Sequence, residues 1–536
     1  MSSAAATNSS GYTDAGQADV MRYRWLILIG LITAAIMEVL DTTIVNVALP
    51  QMAGNLGATF TEIAWVSTGY ILSNVVILPM TAFFTGVFGR QRYLCGSILL
   101  FIIASFFCGT SHTLGELVLW RVVQGMGGAA LLSTAQATLR QIFPKEQQGL
   151  VQALFVLGII VAPTLGPTLG GWITDNYTWS WCFFINVPIG VVSFFLVSTF
   201  LHDPPGMRTT NVKVDLFGIG LLAVGLASLQ YVLEEGNQND WFNDPLIVRL
   251  TVISVVCLSV MLWWELSPRN KDPVVDFRIL KNGSLSASIF LFVSLGFGLY
   301  GGTYLFPLFT QTLLGFSPTQ TGLALLPGGI ATGATALICG RLLNGPRAVI
   351  DPRVLIFFGM GIFITAMWTL AHLSTNAGEP ETRSALIIRG LGLGFLFIPI
   401  NNVAYGSIDP RQAQQASGLI NLSRQLGGSF GIAILGTYLT RQIQVEHAHL
   451  TSYTYKENPL LAQRVAGMTQ YLVQHGKSHA AAGKAALFEL DAMVSRQGAM
   501  LAYNSSWMLL LVSFLVVSPA ILLLRARRSA VSMEAH

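Results

Sequence analysis

The sequence predicts an all-α polytopic membrane protein with two six-helix bundles and two inserted helices, fourteen transmembrane helices in all. Only 10% of the 536 residues are charged and 52% are hydrophobic, whereas a soluble domain carries about 25% charged residues. Long apolar segments follow one another along the chain, and Lys and Arg concentrate in alternate loops. So few charges cannot cover a soluble protein of this size, but they suit a chain dissolved in lipid.

Each predicted span has the length that a bilayer requires, which is about 20 predominantly apolar residues. Such segments lie at 25–49, 64–85, 93–110, 115–138, 149–171, 183–201, 215–234, 245–265, 284–306, 320–340, 353–372, 384–404, 417–439 and 506–524. An even number of spans places both ends of the chain on the same side of the membrane.

The positive charges orient these spans. The short loops on the side of the N-terminus carry nearly all the Lys and Arg of the short loops, whereas those on the opposite side carry Arg383 alone. Because cytoplasmic loops are enriched in Lys and Arg, both termini are expected in the cytoplasm. The polar N-terminus lacks the pattern of a signal peptide.

The predicted organisation has six parts. They are a cytoplasmic tail (1–24), an N-terminal six-helix bundle (25–201), two inserted helices (215–265), a C-terminal six-helix bundle (284–524) that includes an external helical arm (441–505), and a second cytoplasmic tail (525–536).

A weak internal repeat relates the two bundles. Spans one and nine both end in a large apolar residue followed by proline, at Pro50 and Pro307, and the next span begins at a similar offset after each. Spans four and twelve both open with an arginine and a glycine-rich run, at 121–128 and 389–394. Repeated halves around a central site are typical of secondary transporters.

Ionisable groups within spans cost about 2.5–3.5 kcal/mol each on insertion scales, so each calls for a reason. Glu38 and Asp41 are three residues apart and share one face of span one. Arg121 enters span four at a similar depth. Changes in hydration or in the distance to Arg121 would load and release a proton, so we expect these three residues to couple transport to protons. A fixed buried ion pair that locks two helices is the structural alternative.

Span five is rich in glycine and proline, which bend helices and let them pack closely. These residues predict a gate, with tight packing as the simpler alternative; they are Gly158, Pro163, Gly166, Pro167, Gly170 and Gly171.

The turn between spans two and three is basic and contains Gly89, Arg90 and Arg92. It is expected to act as a cytoplasmic latch that holds two helices together. Anchoring by positive charge alone is the alternative.

Five polar residues are candidates for binding substrate in a largely apolar cavity; they are Tyr300, Tyr304, Gln124, Asn401 and Asn402. Interhelical hydrogen bonds are the simpler explanation for the asparagines. No phosphate-binding loop, nucleophile–base cluster or metal-ligand spacing is present, since the histidines of the arm are loosely spaced and the five cysteines lie among apolar residues. We therefore expect no cofactor, no metal and no nucleic-acid partner, with a proton gradient as the energy source.

Four motifs resemble those of the fourteen-helix drug:proton antiporters of the major facilitator superfamily. They are LDTTIVNVALP at 40–50, RVVQG at 121–125, GPTLGG at 166–171 and NVPIG at 186–190. With the long segment between spans thirteen and fourteen, the chain is most similar to the EmrB type. The resemblance implies a major facilitator fold, roles for Asp41 and Arg121 in coupling, and a tripartite assembly with a periplasmic adaptor and an outer-membrane channel.

Two positions depart from that family pattern. The acidic residue usual in the loop between spans two and three is replaced by Gly86, and the first glycine of that motif by Ala82, which puts a carboxylate-based latch in doubt. Glu38 is an additional acid where the family often has a neutral residue.

These observations predict a proton-coupled antiporter that exports amphiphilic drugs or toxic compounds by alternating access. A dedicated exporter of one metabolite or fatty-acid-like compound would use the same residues. A membrane enzyme, a sensor or a channel is a further alternative, although the spans offer only acids and arginines for chemistry.

Overall fold

The chain is helical throughout the part that the computed structural model describes, which comprises residues 11–203, 215–268, 270, 273–344, 350–406, 408–409, 412–454 and 458–524. Eighteen α-helices lie within these residues. They are α1 (Gly11–Leu56), α2 (Phe60–Ile63), α3 (Trp65–Ile77), α4 (Thr81–Phe88), α5 (Arg90–Thr110), α6 (Leu114–Ile142), α7 (Lys145–Asn176), α8 (Trp181–Phe184), α9 (Asn186–Phe200), α10 (Leu216–Glu235), α11 (Pro245–Leu266), α12 (Gly283–Leu308), α13 (Pro318–Asn344), α14 (Pro352–Ala371), α15 (Glu379–Gly406), α16 (Ala413–Ser452), α17 (Pro459–Gln474) and α18 (His479–Val517).

Twelve candidate membrane spans are long and apolar enough to cross a bilayer, counted over the described residues. Helices α7 and α16 are not among the twelve. Helix α7 contributes only the shorter apolar segment Gln147–Ile159 to that search, and the first half of α16 carries polar residues such as Asn421 and Arg424. The chain is a multi-pass membrane protein, and the count of fourteen spans remains a prediction.

Several helices extend beyond the spans expected from the sequence. Helix α1 begins at Gly11 and continues past Pro50 to Leu56, so Pro50 lies inside the helix rather than at its end. Residues 11–24, which the sequence assigns to a tail, form its first turns. The expected arm is helical in its described residues, where α16 runs on to Ser452 and α17 packs against α18. Arg208, residues 1–10 of the first predicted tail and the whole of the second tail lie outside the described residues.

The helices pack as two bundles with the expected order. In the first bundle α1 packs against α7 and α9, and α6 packs against α3 and α5. In the second bundle α12 packs against α16, and α15 packs against α13 and α14. Helices α7 and α13 pack along the contact between the bundles. Inserted helix α11 is the most peripheral, with Val252, Val255 and Trp263 exposed where lipid would surround it.

Glycines set the closeness of several helix pairs. A side chain at Gly125 of α6 would collide with the carbonyl oxygen of Tyr70 on α3, and one at Gly127 would meet the backbone of α5 at Phe101. Small residues allow such backbone contact in membrane bundles, where no hydrophobic effect drives helices together. The glycine-rich run at 124–128 therefore lets α6 lie between α3 and α5.

The two bundles are joined by an interhelical bridge of uncharged polar groups. They are the backbone carbonyl of Ser133 and the side chains of Thr134 and Gln136 on α6, Asn401 on α15, and Gln414, Ser417 and Asn421 on α16. The amide of Gln136 is its centre, since Gln136 Nε2 donates to Asn401 Oδ1 at 2.9 Å and Gln136 Oε1 accepts from Asn421 Nδ2 at 3.2 Å. Gln414 Nε2 donates to Thr134 Oγ1 at 3.1 Å. The bridge joins the two bundles at the level of the C-terminal half of α6.

Replacing Gln136 by leucine tests the bridge. The change leaves Asn401 and Asn421 with buried polar atoms that have lost a partner, so we expect the free energy of unfolding to fall by about 1–3 kcal/mol. Thermal unfolding of the purified full-length protein measures the effect. Gln442→Leu is the matched control, because the partner of Gln442 is Glu446 on the same helix. Equal melting temperatures for both variants would contradict a stabilising bridge.

Candidate functional site

Asp41 is the centre of a closed polar network in the first bundle. Its side chain is fully buried in α1. Arg121 Nη1 donates to Oδ2 at 2.5 Å, and Gln124 Nε2 and Asn186 Nδ2 donate to Oδ1 at 3.0 Å and 2.8 Å. Three donors from α6 and α9 therefore converge on the carboxylate, and the one from Arg121 is a charge-assisted hydrogen bond.

Arg121 is bound on every side. Its Nε donates to the carbonyl oxygen of Val66 on α3 at 2.9 Å, and Nη1 also donates to Gln124 Oε1 at 2.8 Å. The guanidinium carbon lies 4.4 Å from the centre of the Tyr70 ring and 5.6 Å from that of Phe183. An arginine that is 1% exposed is thus surrounded by a carboxylate, a carbonyl and aromatic faces, which all favour a cation.

Ser105 of α5 orients the two amides. Its hydroxyl donates to the carbonyl oxygen of Phe183 at 2.9 Å, and its oxygen accepts from Gln124 Nε2 and from Asn186 Nδ2 at 3.1 Å each. Because both amide nitrogens are shared between Ser105 and Asp41, neither amide is free to rotate. Five helices, α1, α3, α5, α6 and α9, therefore converge on one carboxylate.

Glu38 lies one turn before Asp41 in a different environment. It is 6% exposed, and its Oε2 accepts from the backbone N–H of Leu132 at 3.1 Å, while Oε1 accepts from Asn74 Nδ2 at 3.4 Å. Among the described residues no cationic nitrogen lies within ion-pair distance of it, although Arg424 of the other bundle acts on it electrostatically. The two acids therefore differ: Asp41 is paired, and Glu38 is held by neutral donors.

The ionisable groups of this site are two carboxylates and one guanidinium. Within the described residues, no group of three His, Cys, Asp or Glu side chains is arranged to hold a metal ion. Of the four ion pairs found in that part of the chain, the Arg121–Asp41 pair is the one in which both side chains are at most 1% exposed. Removing one partner of a buried pair leaves an uncompensated charge and costs about 3–5 kcal/mol.

The glycines of α7 face two neighbours. A side chain at Gly158, Gly166 or Gly170 would meet α1, in the last case at 2.9 Å from the carbonyl oxygen of Ile44. Gly171 faces open space, with no atom within 4 Å of an added side-chain carbon. The side chains of Pro163 and Pro167 lie outside the described residues.

Helix α13 approaches α7 from the other bundle through glycines of its own. A side chain at Gly322 would meet Thr168, one at Gly333 would meet Leu157, and one at Gly340 would meet the backbone of Gly149. Close packing of α7 on both sides is thus observed, while its role as a gate remains a prediction.

The basic turn connects helices within the first bundle. Arg90 is buried, and its Nη1 donates to Gln141 Oε1 at 2.8 Å and its Nη2 to the carbonyl oxygen of His202 at 3.0 Å. Arg90 Nε lies 3.6 Å from Asp203 Oδ1. Gly89 adopts φ +84°, a conformation that favours glycine. Arg92 is exposed. The role of this turn as a latch stays a prediction.

Comparison with known proteins identifies the family. The profile of the Major Facilitator Superfamily matches residues 31–432. The chain belongs to this superfamily. It is 32% identical over 492 residues to "Multidrug export protein EmrB" of Haemophilus influenzae, covering 91% of this chain and 93% of the relative. It is 34% identical over 437 residues to the protein of the same name in Escherichia coli K12, covering 81% and 84%.

Two further similarities extend the comparison. "Fatty acid resistance protein FarB" of Neisseria gonorrhoeae is 31% identical over 492 residues, which cover 91% of this chain and 93% of that protein. The crystal structure of the human organic anion transporter MFSD10 matches 93% of this chain and 99% of its own at a TM-score of 0.56 and 12% identity, which supports the fold alone. The family expected from the motifs is confirmed, as is the expectation of a transporter rather than an enzyme.

In this superfamily member the predicted substrate residues do not converge on one site. Gln124 is fully buried and bound to Asp41 rather than directed into a cavity. Asn401 takes part in the interhelical bridge. Tyr300 and Tyr304 face Gly428 and Gly436 along α16, where glycine leaves room for their rings. Asn402 neighbours the bridge on α15, and substrate binding by all five residues remains a prediction.

Sequence reasoning missed Asn186 and Ser105 as parts of the site. Asn186 stands at the start of α9, in the motif NVPIG, and Ser105 lies within α5. The position of Asn186 among apolar residues could have indicated that its amide is buried and bound to another polar group. Ser105 carries no such signal, because isolated serines are common in membrane helices.

The GPTLGG segment offers a matched pair of glycine substitutions. Gly170→Ala places a methyl group against the backbone of α1, and overpacking of this kind costs about 1–3 kcal/mol. Gly171→Ala places the same group in open space. We therefore expect Gly170→Ala to lower the melting temperature and Gly171→Ala to leave it unchanged in the purified protein. The reverse order would show that α7 does not rest on α1 at Gly170.

Proposed function

We propose that the chain exports amphiphilic drugs or toxic compounds across the bacterial inner membrane in exchange for protons, by alternating access. The observation that carries the proposal is the buried network of Asp41, Arg121, Gln124 and Asn186. It supplies a carboxylate whose ionised form depends on donors from α6 and α9, so helix movement and proton binding are linked. The multidrug export names of the relatives support the substrate class.

The geometry around Asp41 supports a scheme of proton exchange. When α1 moves away from α6 and α9, the carboxylate loses its donors, and the proton-bound form becomes favoured. When the helices return, Arg121 displaces the proton. Glu38, one turn away and held by neutral donors, is a second carrier in this scheme. The buried ion pair is then a switch rather than a fixed lock.

The proposal includes a topology and partners. Fourteen spans with both termini in the cytoplasm fit the distribution of Lys and Arg, with α7 and α16 completing the twelve apolar helices. The helical arm formed by the end of α16, by α17 and by the start of α18 extends far enough to serve as a docking surface. A periplasmic adaptor and an outer-membrane channel would then complete the path out of the cell.

A fatty-acid-like substrate is the second candidate, and the similarity to the fatty acid resistance protein favours it. The same proton-exchange machinery would serve such a substrate. The two candidates differ in substrate charge and range, not in the coupling site.

Dye efflux tests the coupling. In cells that lack other pumps, we expect the full-length protein to extrude ethidium, and a protonophore to abolish this efflux. Asp41→Asn should reduce efflux to the level of cells without the protein, because the amide cannot exchange a proton. The efflux that remains in Glu38→Gln measures how much Glu38 contributes to the coupling. Efflux that persists in Asp41→Asn at wild-type expression would refute the coupling site.

Growth assays separate the two substrate classes. Cells expressing the protein are exposed in parallel to several cationic dyes and to long-chain fatty acids. Resistance to many unrelated compounds is expected for a drug exporter. Resistance to fatty acids alone would support the second candidate, and Asp41→Asn should abolish either phenotype.

A further inference from the structure

A further carboxylate, partly buried, lies where inserted helix α10 meets both bundles. Glu234 is the penultimate residue of α10. Its Oε1 accepts from Gln230 Nε2 at 3.3 Å, one helical turn earlier, and the side chain of Thr68 on α3 also forms a hydrogen bond with the carboxylate. Gln230 is fully buried, and its Nε2 also donates to Ser429 Oγ of α16 at 2.9 Å. Glu234 and Gln230 therefore connect α10 to α3 and to α16.

Two oxygen atoms of this pair are buried without a hydrogen-bond donor. They are Glu234 Oε2 and Gln230 Oε1. Both are acceptors when Glu234 is ionised, so they cannot bind each other. Buried polar groups in proteins are almost always paired, and an unpaired one costs about 1–3 kcal/mol.

The orientation of the Gln230 amide is fixed by its neighbour. Ser429 Oγ donates its proton to the carbonyl oxygen of Gln425 at 3.2 Å, so it can only accept from Gln230. The nitrogen of the amide must therefore face Ser429, which leaves Oε1 as the unpaired atom.

No cation compensates Glu234 among the described residues, where no Lys, Arg or His nitrogen comes within ion-pair distance of it. The ionisable groups on the surrounding elements are Glu235 and Tyr231 on α10 itself, Tyr70 on α3, Asp240 and Asp244 after α10, and Arg424, Tyr438, Arg441, Glu446, His447 and His449 on α16. The nearest of these in sequence, Glu235, repels a charge on Glu234. An ionised Glu234 would be costly in such a place.

We propose that Glu234 binds a further exchangeable proton, in addition to those of Asp41 and Glu38, which it shares with Gln230. The proton comes from a hydronium ion and adds to the carboxylate, which forms a carboxylic acid and leaves one water molecule. As an acid, Glu234 donates through Oε2 to Gln230 Oε1 while Oε1 still accepts from Gln230 Nε2. One proton thus satisfies both unpaired oxygens in a cyclic acid–amide pair.

Helix α3 connects this second site with the first. The carbonyl oxygen of Val66 accepts from Arg121, and two residues later Thr68 faces Glu234. Trp65 of α3 packs on Tyr231 of α10 with ring centres 5.6 Å apart. Loss of the proton leaves a charge and an unpaired amide oxygen between α10, α3 and α16, so α10 separates from them or water enters. Release at Glu234 is therefore tied to the position of a helix that also holds Arg121.

The role of Glu234 in transport rests on the proposed proton-coupled export, whereas the protonation of Glu234 does not depend on that proposal. Infrared difference spectra of the purified full-length protein in lipid, titrated with pH, report carboxylic acids directly. We expect a carbonyl-stretching band of a buried carboxylic acid in the wild type, lost in Glu234→Gln and retained in Glu235→Gln. A band that is unchanged in Glu234→Gln overturns the proposal.

Proton exchange in proteoliposomes tests the role of Glu234 in transport. Glu234→Gln keeps the amide hydrogen bonds to Gln230 without a titratable group, so it should fold, which size-exclusion chromatography checks. With ethidium as the probe, we expect fewer protons exchanged per dye in Glu234→Gln than in the wild type and in Glu235→Gln. An equal proton count in all three overturns a coupling role. Normal efflux by Asp41→Asn would instead refute the first site and leave the infrared result standing.

Discussion

A carboxylate enclosed between five helices is the constraint on which the first bundle depends. Asp41 is buried where neither water nor lipid can satisfy it, so its hydrogen bonds must come from protein. Arg121, Gln124 and Asn186 supply them, and each donor is itself held by a further group: Val66 for the arginine and Ser105 for the amides. A displacement of any of these helices therefore changes the environment of the charge.

Close packing makes that arrangement possible. Helix α6 carries both Arg121 and the glycine-rich run, and the glycines bring α3 and α5 near enough for their polar groups to reach the arginine and its partners. Glycines likewise allow helix α7 to pack closely against α1 and α13. Polar specificity and small-residue packing thus occur on the same helices, which explains why glycine and charged motifs adjoin each other in the sequence.

The sequence predicted the helical membrane fold and the pair formed by Asp41 and Arg121, because each rests on local patterns, whereas the bounds of the two bundles stay a prediction. Apolar run length identifies spans, and ionisable residues within them are rare enough to stand out. Partners from distant segments were not predictable in this way: Asn186 and Ser105 reach Asp41 only after α5 and α9 pack. Gln124 was predicted to bind substrate because its motif does not indicate which way its side chain points. Glu234 was not predicted as a site residue because it lies at the end of its span, where acidic side chains usually contact water.

The bridge between the bundles contains amides and hydroxyls rather than ion pairs, with Arg140 contributing only a contact over the Tyr405 ring at 4.9 Å. Each of its hydrogen bonds has an equivalent that water can make at little cost. Separation of the bundles at this face can thus proceed by successive hydration, without the separation of opposite charges in a medium of low dielectric constant. The lifetime of the closed state should then follow the ease with which water enters, and dissolved salt should have little influence on it.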